Sequence, residues 1–177
     1  MERDGVKLTW IRDNAKERLM PVSLFGDVPQ QLVDSLGIAD GIPSSVSVFL
    51  VEADGKHILF DTGMGAPDSR LMKGLEAAGL SPADIDCLFL THLHFDHIGG
   101  MVKADSAVFP HAEVYVARQE YDGWMQMPDD QKAKVVATMS VYKDRLHLFE
   151  YGDTLPAGVV ALNAEGHTPG HTVYQLG

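Results

Sequence analysis

The alternation of apolar and polar positions becomes regular from about residue 46 onwards. Val46–Val51 and His57–Asp61 are rich in β-forming residues and flank a turn at 53–56, which predicts a β-hairpin. The preceding stretch, residues 19–43, is punctuated by prolines and glycines and predicts loop with one short helix near Gln30–Leu36.

Helical and strand patterns continue to alternate along the rest of the chain. The further predicted strands are 85–90, 113–117, 146–149, 159–162 and 172–176, and the further predicted helices are 69–78, 119–126 and about 129–142. In the last of these helices, Val135, Val136 and Met139 are expected to face inward. Because hairpins and crossover connections are both present, the pattern predicts an α/β domain with mixed sheets.

Length and composition set bounds on this picture. The chain has 177 residues, 45% of them hydrophobic, which favours a single domain over residues 1–177. The net charge of −11 argues against general nucleic-acid binding, because an acidic surface repels phosphate backbones. No apolar stretch is long enough to span a membrane, the polar start does not resemble a signal peptide, and Cys87 is the only cysteine. We therefore expect a cytoplasmic protein.

A dense group of ligand-type residues follows the predicted strand 85–90. His92 and His94 are two positions apart, so an extended backbone sends both side chains to the same side. Asp96 and His97 follow at once, and a turn into a helix would direct them toward a neighbouring position. Imidazole and carboxylate are good ligands for zinc, and this spacing predicts a metal site.

A second histidine-containing segment lies near the end of the chain. It reads Glu165-Gly166-His167-Thr168-Pro169-Gly170-His171, and its glycines and proline predict a turn with unusual backbone angles. His167 on such a loop could complete a three-histidine site with one open position, which catalytic zinc requires. A turn histidine with only a structural hydrogen bond is the alternative reading of this segment alone.

Together the two segments resemble the metallo-β-lactamase superfamily. The HxHxDH signature is present at 92–97, an aspartate at the end of a strand at Asp61, and the third-histidine loop at 166–171. The region around 109–124 is similar to the branch that contains acyl-homoserine lactonases and methyl parathion hydrolase-like enzymes. The resemblance covers residues 46 to 177 and implies a four-layer αββα sandwich, incomplete at its carboxyl end.

The resemblance also implies roles for individual residues. His92, His94 and His167 correspond to the ligands of a first metal ion, and Asp96 and His97 to ligands of a second. Asp61 corresponds to an outer carboxylate that orients a ligand histidine, which fits the general use of such carboxylates. Asp96 and Asp61 are expected to orient the attacking nucleophile. His171 is interpreted as support for its loop, and three other histidines as surface or strand residues: His57, His111 and His147.

Three apolar residues are candidates for the substrate pocket. The family branch uses an aromatic residue after the helix near 119–126, which makes Trp124 a candidate. Phe95 and Met64 adjoin motif residues and are expected to border the pocket. For each of them, packing in the hydrophobic core is the alternative.

Two ligands of the family's binuclear site have no counterpart in the sequence, namely a bridging aspartate and a final histidine after the third-histidine loop. We therefore expect a fragment of a longer protein, one tight zinc ion, an incomplete second site and low activity of the chain itself. A natural half-domain is the alternative. An incomplete sheet has an exposed edge, which favours pairing and therefore a homodimer.

The resemblance implies a zinc-dependent hydrolase in which metal-bound hydroxide attacks an ester, lactone or related bond of a small molecule. The alternatives are a glyoxalase II-like thioester hydrolase, an iron-dependent oxidoreductase relative and an inactive metal-binding fragment. His94 favours zinc and hydrolysis, because flavodiiron-type relatives usually have a glutamate at that position. Cys87 lies in a buried apolar run, where a thiolate nucleophile is disfavoured.

Overall fold

The computed structural model describes residues 1–3 and 5–176, and its regular elements include strands β1–β13 and helices α1–α5. The strands are β1 Glu2–Arg3, β2 Val6–Arg12, β3 Arg18–Met20, β4 Ile42–Ser44, β5 Ser47–Ala53, β6 Lys56–Phe60, β7 Cys87–Phe89, β8 Val102–Lys103, β9 Ser106–Ala107, β10 Glu113–Ala117, β11 Leu146–Phe149, β12 Val160–Asn163 and β13 Thr172–Gln175. The helices are α1 Gln30–Leu36, α2 Leu71–Ala77, α3 Phe95–Ile98, α4 Arg118–Met125 and α5 Asp129–Val141.

A mixed sheet of seven strands forms the centre, in the order β1-β2-β5-β6-β7-β10-β11. The first four of these strands pair antiparallel, whereas β6, β7, β10 and β11 run parallel. Helices make the parallel connections, with α2 between β6 and β7, and α4 and α5 between β10 and β11. The predicted mixed α/β architecture is therefore confirmed.

The central sheet is buried on both faces. Leu50, Leu59 and Leu88 project toward the helices and pack in one core with residues such as Leu71 and Met139. Their neighbours along the strands project the opposite way and form a second core against β12 and β13: Val51, Ile58, Phe60, Cys87 and Phe89. Burial on both faces explains the continuous apolar runs of these strands.

The described residues form three layers, namely helices, the central sheet and the two-stranded β12–β13 sheet. On β12 and β13, Leu162 and Val173 are paired neighbours and both about half exposed, whereas Ala161 is buried against the central sheet. The fourth, helical layer of the expected αββα sandwich is not seen in residues 1–3 and 5–176. No described helix combines the length and apolar character needed to cross a membrane.

Some sequence expectations need correction. Val136 is 42% exposed, while Val135 and Met139 are buried, because consecutive helical residues point about 100° apart and the inward face of α5 is narrow. The sequence pattern predicts no strand at Val6–Arg12, yet β2 lies inside the central sheet and pairs with β5. The segment 19–43 contains α1 as expected, and in addition β3 and β4 pair across it.

Candidate metal centre

The candidate site lies at the carboxyl ends of neighbouring parallel strands. Asp61 follows β6 directly, and the segment 91–97 follows β7, so the sheet itself brings the two together. The loop between β12 and β13 carries His167 to the same place. Ligands of open α/β sheets characteristically bind outside the carboxyl ends of strands, and this edge has that geometry.

Three histidines form a compact triad, referred to below as the His triad: His92, His94 and His167. One ring nitrogen of each lies within 4.8 Å of those of the other two. The ring centroids are 4.7 to 4.8 Å apart in all three pairs, and Nδ1 of His94 lies 3.0 Å from Nε2 of His167. Nε2 of His92 is buried and has no hydrogen-bond partner among the described residues.

Burial and mutual proximity keep the imidazoles of His92 and His94 neutral. Burial, with added repulsion from His97 and His94, lowers the pKa of His92 to about 2. Burial and the neighbouring His167 lower the pKa of His94 as well. Neutral imidazoles offer lone pairs to a metal ion, so the donor set and the unpartnered nitrogen fit a divalent metal such as zinc.

A hydrogen-bond network behind the His triad fixes its orientation. Asp61 accepts hydrogen bonds from the Thr91 amide and hydroxyl, both at 2.8 Å, and from Nδ1 of His97 at 2.7 Å. The Thr91 hydroxyl, whose proton goes to Asp61, accepts from Nδ1 of His92 at 3.0 Å. Since Nδ1 of His92 is used in this way, its Nε2 lone pair is free to face the other two histidines.

Asp96 and His97 adjoin the His triad. The ring centroid of His97 lies 3.9 Å from that of His92, and its Nε2 lies 3.8 Å from Oδ1 of Asp96. Burial alone would lower the pKa of His97, but the hydrogen bond and charge of Asp61 outweigh it, and the pKa is raised. The two residues provide a carboxylate and an imidazole beside the His triad, and the described residues supply no third ligand that would form a metal-sized group with them.

Close backbone packing holds the segment after β6 against the histidine segment after β7. The amide and hydroxyl of Thr62 donate to the His97 carbonyl at 2.7 and 2.8 Å. Side chains at Gly65 or Gly99 would collide with the backbone of the opposing segment, so only glycine permits this approach. Asp61 has a φ of 62°, a strained value for a non-glycine residue that its three hydrogen bonds help to maintain.

Sequence reasoning missed two buried carboxylates near these segments. Glu120, in α4, is fully buried and hydrogen-bonds to both ligand-bearing loops. Asp13, just after β2, is buried and accepts from the Met64 and Leu71 amides and the Ser69 hydroxyl. Both occur in ordinary-looking polar stretches, and neither carries a local sequence signal that distinguishes it from a surface acid.

The three candidate substrate residues lie in two places. Met64 and Phe95 line one cavity of about 340 Å³, together with Lys134, whose Nζ lies 3.5 Å from the centre of the Phe95 ring. Trp124 is not part of that lining; its ring meets the His94 ring edge-on, with centroids 5.5 Å apart. All three roles in substrate binding stay predictions.

The remaining histidines and the cysteine lie as follows. His171 is half-buried with its ring centroid 4.7 Å from that of His92, but it is outside the His triad. His57 and His147 lie on strands, and His111 is exposed. Cys87 is buried, and this burial raises its pKa to about 11, which disfavours a thiolate.

Comparison with known proteins agrees with this geometry. Residues 41–177 match the metallo-beta-lactamase superfamily, and the chain belongs to that family. An N-acyl homoserine lactonase from Bacillus sp is 27% identical over 146 residues, covering 70% of this chain and 54% of the relative. The chain thus spans about half the length of the curated relatives it matches.

Solved structures give the same result. The hydrolase AbOPH of the beta lactamase superfamily superposes with a TM-score of 0.84 at 30% identity, covering all of this chain and 68% of that one. AidC, a dizinc quorum-quenching lactonase, superposes with a TM-score of 0.83 at 29% identity, covering all of this chain and 69% of that one. The expected likeness to the lactonase-containing branch is therefore confirmed.

Proposed function

We propose that the chain carries the zinc site of a hydrolase that cleaves a lactone, ester or related bond in a small molecule. The observation that carries the proposal is the buried Nε2 of His92, which has no hydrogen-bond partner among the described residues and belongs to a group of three neighbouring imidazoles. A buried nitrogen without a partner is costly unless something binds it, and a zinc ion supplies the missing interaction.

His92, His94 and His167 would hold the tighter zinc ion, and Asp96 and His97 would contribute to a second, weaker one. Zinc supplies Lewis acidity, which makes water a stronger acid and polarises a carbonyl oxygen. The incomplete second set supports the expectation that these residues alone bind one ion tightly. We further propose that residues 1–177 act as one domain, and the cytoplasmic location and the homodimer stay predictions.

The surrounding residues divide the remaining tasks. Asp61 holds His97 through Nδ1, and Asp96 places a half-buried carboxylate beside Nε2 of His97, where it can orient or accept a proton from a nearby nucleophile. Trp124 meets the His94 ring edge-on, and we propose that it borders the substrate pocket beside the His triad. Met64 and Phe95 would contact an apolar part of the substrate in the cavity they share.

A lactone is the substrate class that the relatives favour. This chain is similar to curated relatives named N-acyl homoserine lactonase and to the lactonase AidC, whose structure is described in complex with a homoserine product. Aryl esters, phosphotriesters and thioesters place a comparable electrophile before the same metal site, so the test must separate them.

The test combines metal binding with a substrate panel. We expect calorimetric titration of the metal-stripped chain to give one tight zinc ion, and elemental analysis of the purified chain to give zinc rather than iron. H92A, H94A and H167A should each abolish tight binding, whereas H147A, on β11 outside the site, should not. A chain that binds no zinc, or H92A that binds as tightly as wild type, would contradict the proposal.

The substrate panel should contain a lactone, an aryl ester, a thioester and a phosphotriester, each assayed with and without zinc. We expect lactone hydrolysis that depends on zinc, at a low rate because the second metal set is incomplete. Faster hydrolysis of the thioester than of the lactone would favour a glyoxalase II-like thioester hydrolase over a lactonase. Zinc binding with no hydrolysis of any substrate would instead favour an inactive metal-binding fragment.

A further inference from the structure

Glu120 is a fully buried carboxylate that connects the two loops of the candidate metal centre. Its Oε1 accepts hydrogen bonds from the Leu93 amide at 2.9 Å and from Nε1 of Trp124 at 2.8 Å. Its Oε2 accepts from the Gly170 amide at 2.9 Å. Leu93 lies between two ligand histidines, and Gly170 lies three residues after the third.

The arrangement of donors around Glu120 is specific to a carboxylate. Among the described residues no cation pairs with it, so three N–H donors alone compensate for burying the charge. A carboxylate accepts with both oxygens, and charge-assisted hydrogen bonds of this kind are stronger than neutral ones. One side chain therefore fixes the loop of His92 and His94 relative to the loop of His167.

Helix α4 supports the same loop by close packing. A Cβ at Gly170 would collide with the backbone of Glu120, and a Cβ at Gly123 would lie 2.9 Å from Pro169. The third-histidine loop thus rests directly on two positions of α4. Trp124 extends the support, since it donates to Glu120 and meets the His94 ring edge-on.

We infer that Glu120 is a positioning residue for the metal centre, holding the two histidine loops at the separation that the zinc ion needs. The inference rests on the proposed zinc site and concerns how that site is assembled. Glu120 does not itself contact the ion; it acts through the Leu93 and Gly170 amides. Its removal should therefore change metal affinity and geometry by more than it changes the stability of the metal-free fold.

The discriminating variant is E120Q. Glutamine offers only one oxygen, so its NH₂ group must face an N–H donor of one loop, and that loop is released. We expect the zinc dissociation constant to rise about 10- to 100-fold, the range typical when a residue supporting a metal ligand is removed. The cobalt-substituted chain should also show a changed visible absorption band, because the displaced loop would alter how the three histidines surround the ion.

D13N is the matched control. Asp13 is equally buried and also accepts from backbone amides, but the loop it fixes contains no ligand histidine. We expect D13N and E120Q to lower the thermal stability of the metal-free chain by similar amounts, with only E120Q weakening zinc binding. E120D, which keeps the charge but is one methylene shorter, is the second variant if E120Q does not fold, and should weaken binding less.

The outcomes separate the inference from the function it rests on. Wild-type chain that fails to bind zinc contradicts the proposed function. Wild-type chain that binds zinc, with E120Q or E120D binding equally well and giving the same cobalt spectrum, overturns the role of Glu120. Equal losses of affinity in E120Q and D13N would also overturn it, because the effect would then be general destabilisation.

Discussion

The carboxylate of Asp61 accepts a hydrogen bond from Nδ1 of His97 at 2.7 Å, and the same carboxylate accepts two from Thr91. Asp61 thereby connects the ends of β6 and β7 and fixes the ring of His97. Three donors converge on one buried side chain, which makes Asp61 important for stability as well as for the metal centre.

We expect D61N to lower the free energy of unfolding of the metal-free chain by about 1.5–3 kcal/mol, because its NH₂ group opposes one of the three buried donors. Urea denaturation measures the loss. D84N is the control, since exposed Asp84 accepts, among the described residues, only from the amide and hydroxyl of Ser81, and its substitution should lower stability much less than D61N. Equal losses in the two variants would contradict a special role for the buried carboxylate.

Zinc should stabilise the fold. A ligand that binds only the native state adds about 2.7 kcal/mol at a free concentration 100 times its dissociation constant. For a chain of 177 residues this corresponds to an increase in Tm of about 5–10 °C. Differential scanning fluorimetry should show the increase with zinc and its reversal with EDTA.

The zinc-dependent shift should require the His triad. We expect it to vanish in H92A, because that substitution removes the buried ligand, and to persist in H147A, which removes an exposed histidine on β11. A shift of unchanged size in H92A would mean that zinc binds elsewhere on the chain.

The sequence predicted the central hairpin, the parallel strands and the ligand spacing because each depends on local pattern. The two-residue separation of His92 and His94 and the apolar run of β7 are visible in a few consecutive letters. Membership of the family and the likeness to lactonases were recognised from the same short motifs and are confirmed by comparison. The assignment of individual ligands stays a prediction, which the geometry of the His triad supports.

Features that depend on distant contacts were missed. Strand β2 joins the central sheet by pairing with β5, some forty residues away along the chain. Its own sequence contains arginine, lysine and threonine, so it lacks the apolar run of a buried strand. Glu120 and Asp13 look like surface acids, and their burial follows from amides supplied by other segments. The apolar side chain of Val136 predicts an inward position, but α5 packs on the core through Val135 and Met139 and leaves Val136 partly exposed.

Gly170 should be intolerant of substitution. A methyl group there would collide with the backbone of Glu120, so G170A must displace the loop that carries His167. We expect G170A to weaken zinc binding at least tenfold in a calorimetric titration, since the third ligand moves. G74A is the control: its methyl group would press on Ile11, under α2 and away from the site, and should lower stability without changing zinc affinity.

Tyr142 supports the core beneath the helices. It is fully buried, its hydroxyl donates to the Met101 carbonyl at 2.7 Å, and it accepts from the Phe109 amide at 3.2 Å. Y142F leaves the Phe109 amide without its acceptor, whereas the Met101 carbonyl keeps the Val108 amide as a donor, and it should lower the free energy of unfolding by about 1–3 kcal/mol in urea. Tyr121 packs on the same core, half-buried, with no hydroxyl partner among the described residues, so Y121F should change stability by less than about 0.5 kcal/mol.

Cys87 should be unreactive in the folded chain. It lies in β7, a strand of the central sheet that is buried on both faces, and burial of the thiol raises its pKa to about 11. At pH 8 roughly one thiol in a thousand is then ionised, and the thiolate fraction grows about tenfold for each pH unit below the pKa. We expect Ellman's reagent to modify Cys87 slowly at pH 8 and rapidly once urea unfolds the chain. Rapid modification of the folded chain, or loss of zinc binding in C87A, would show that the thiol is accessible or contributes to the metal centre.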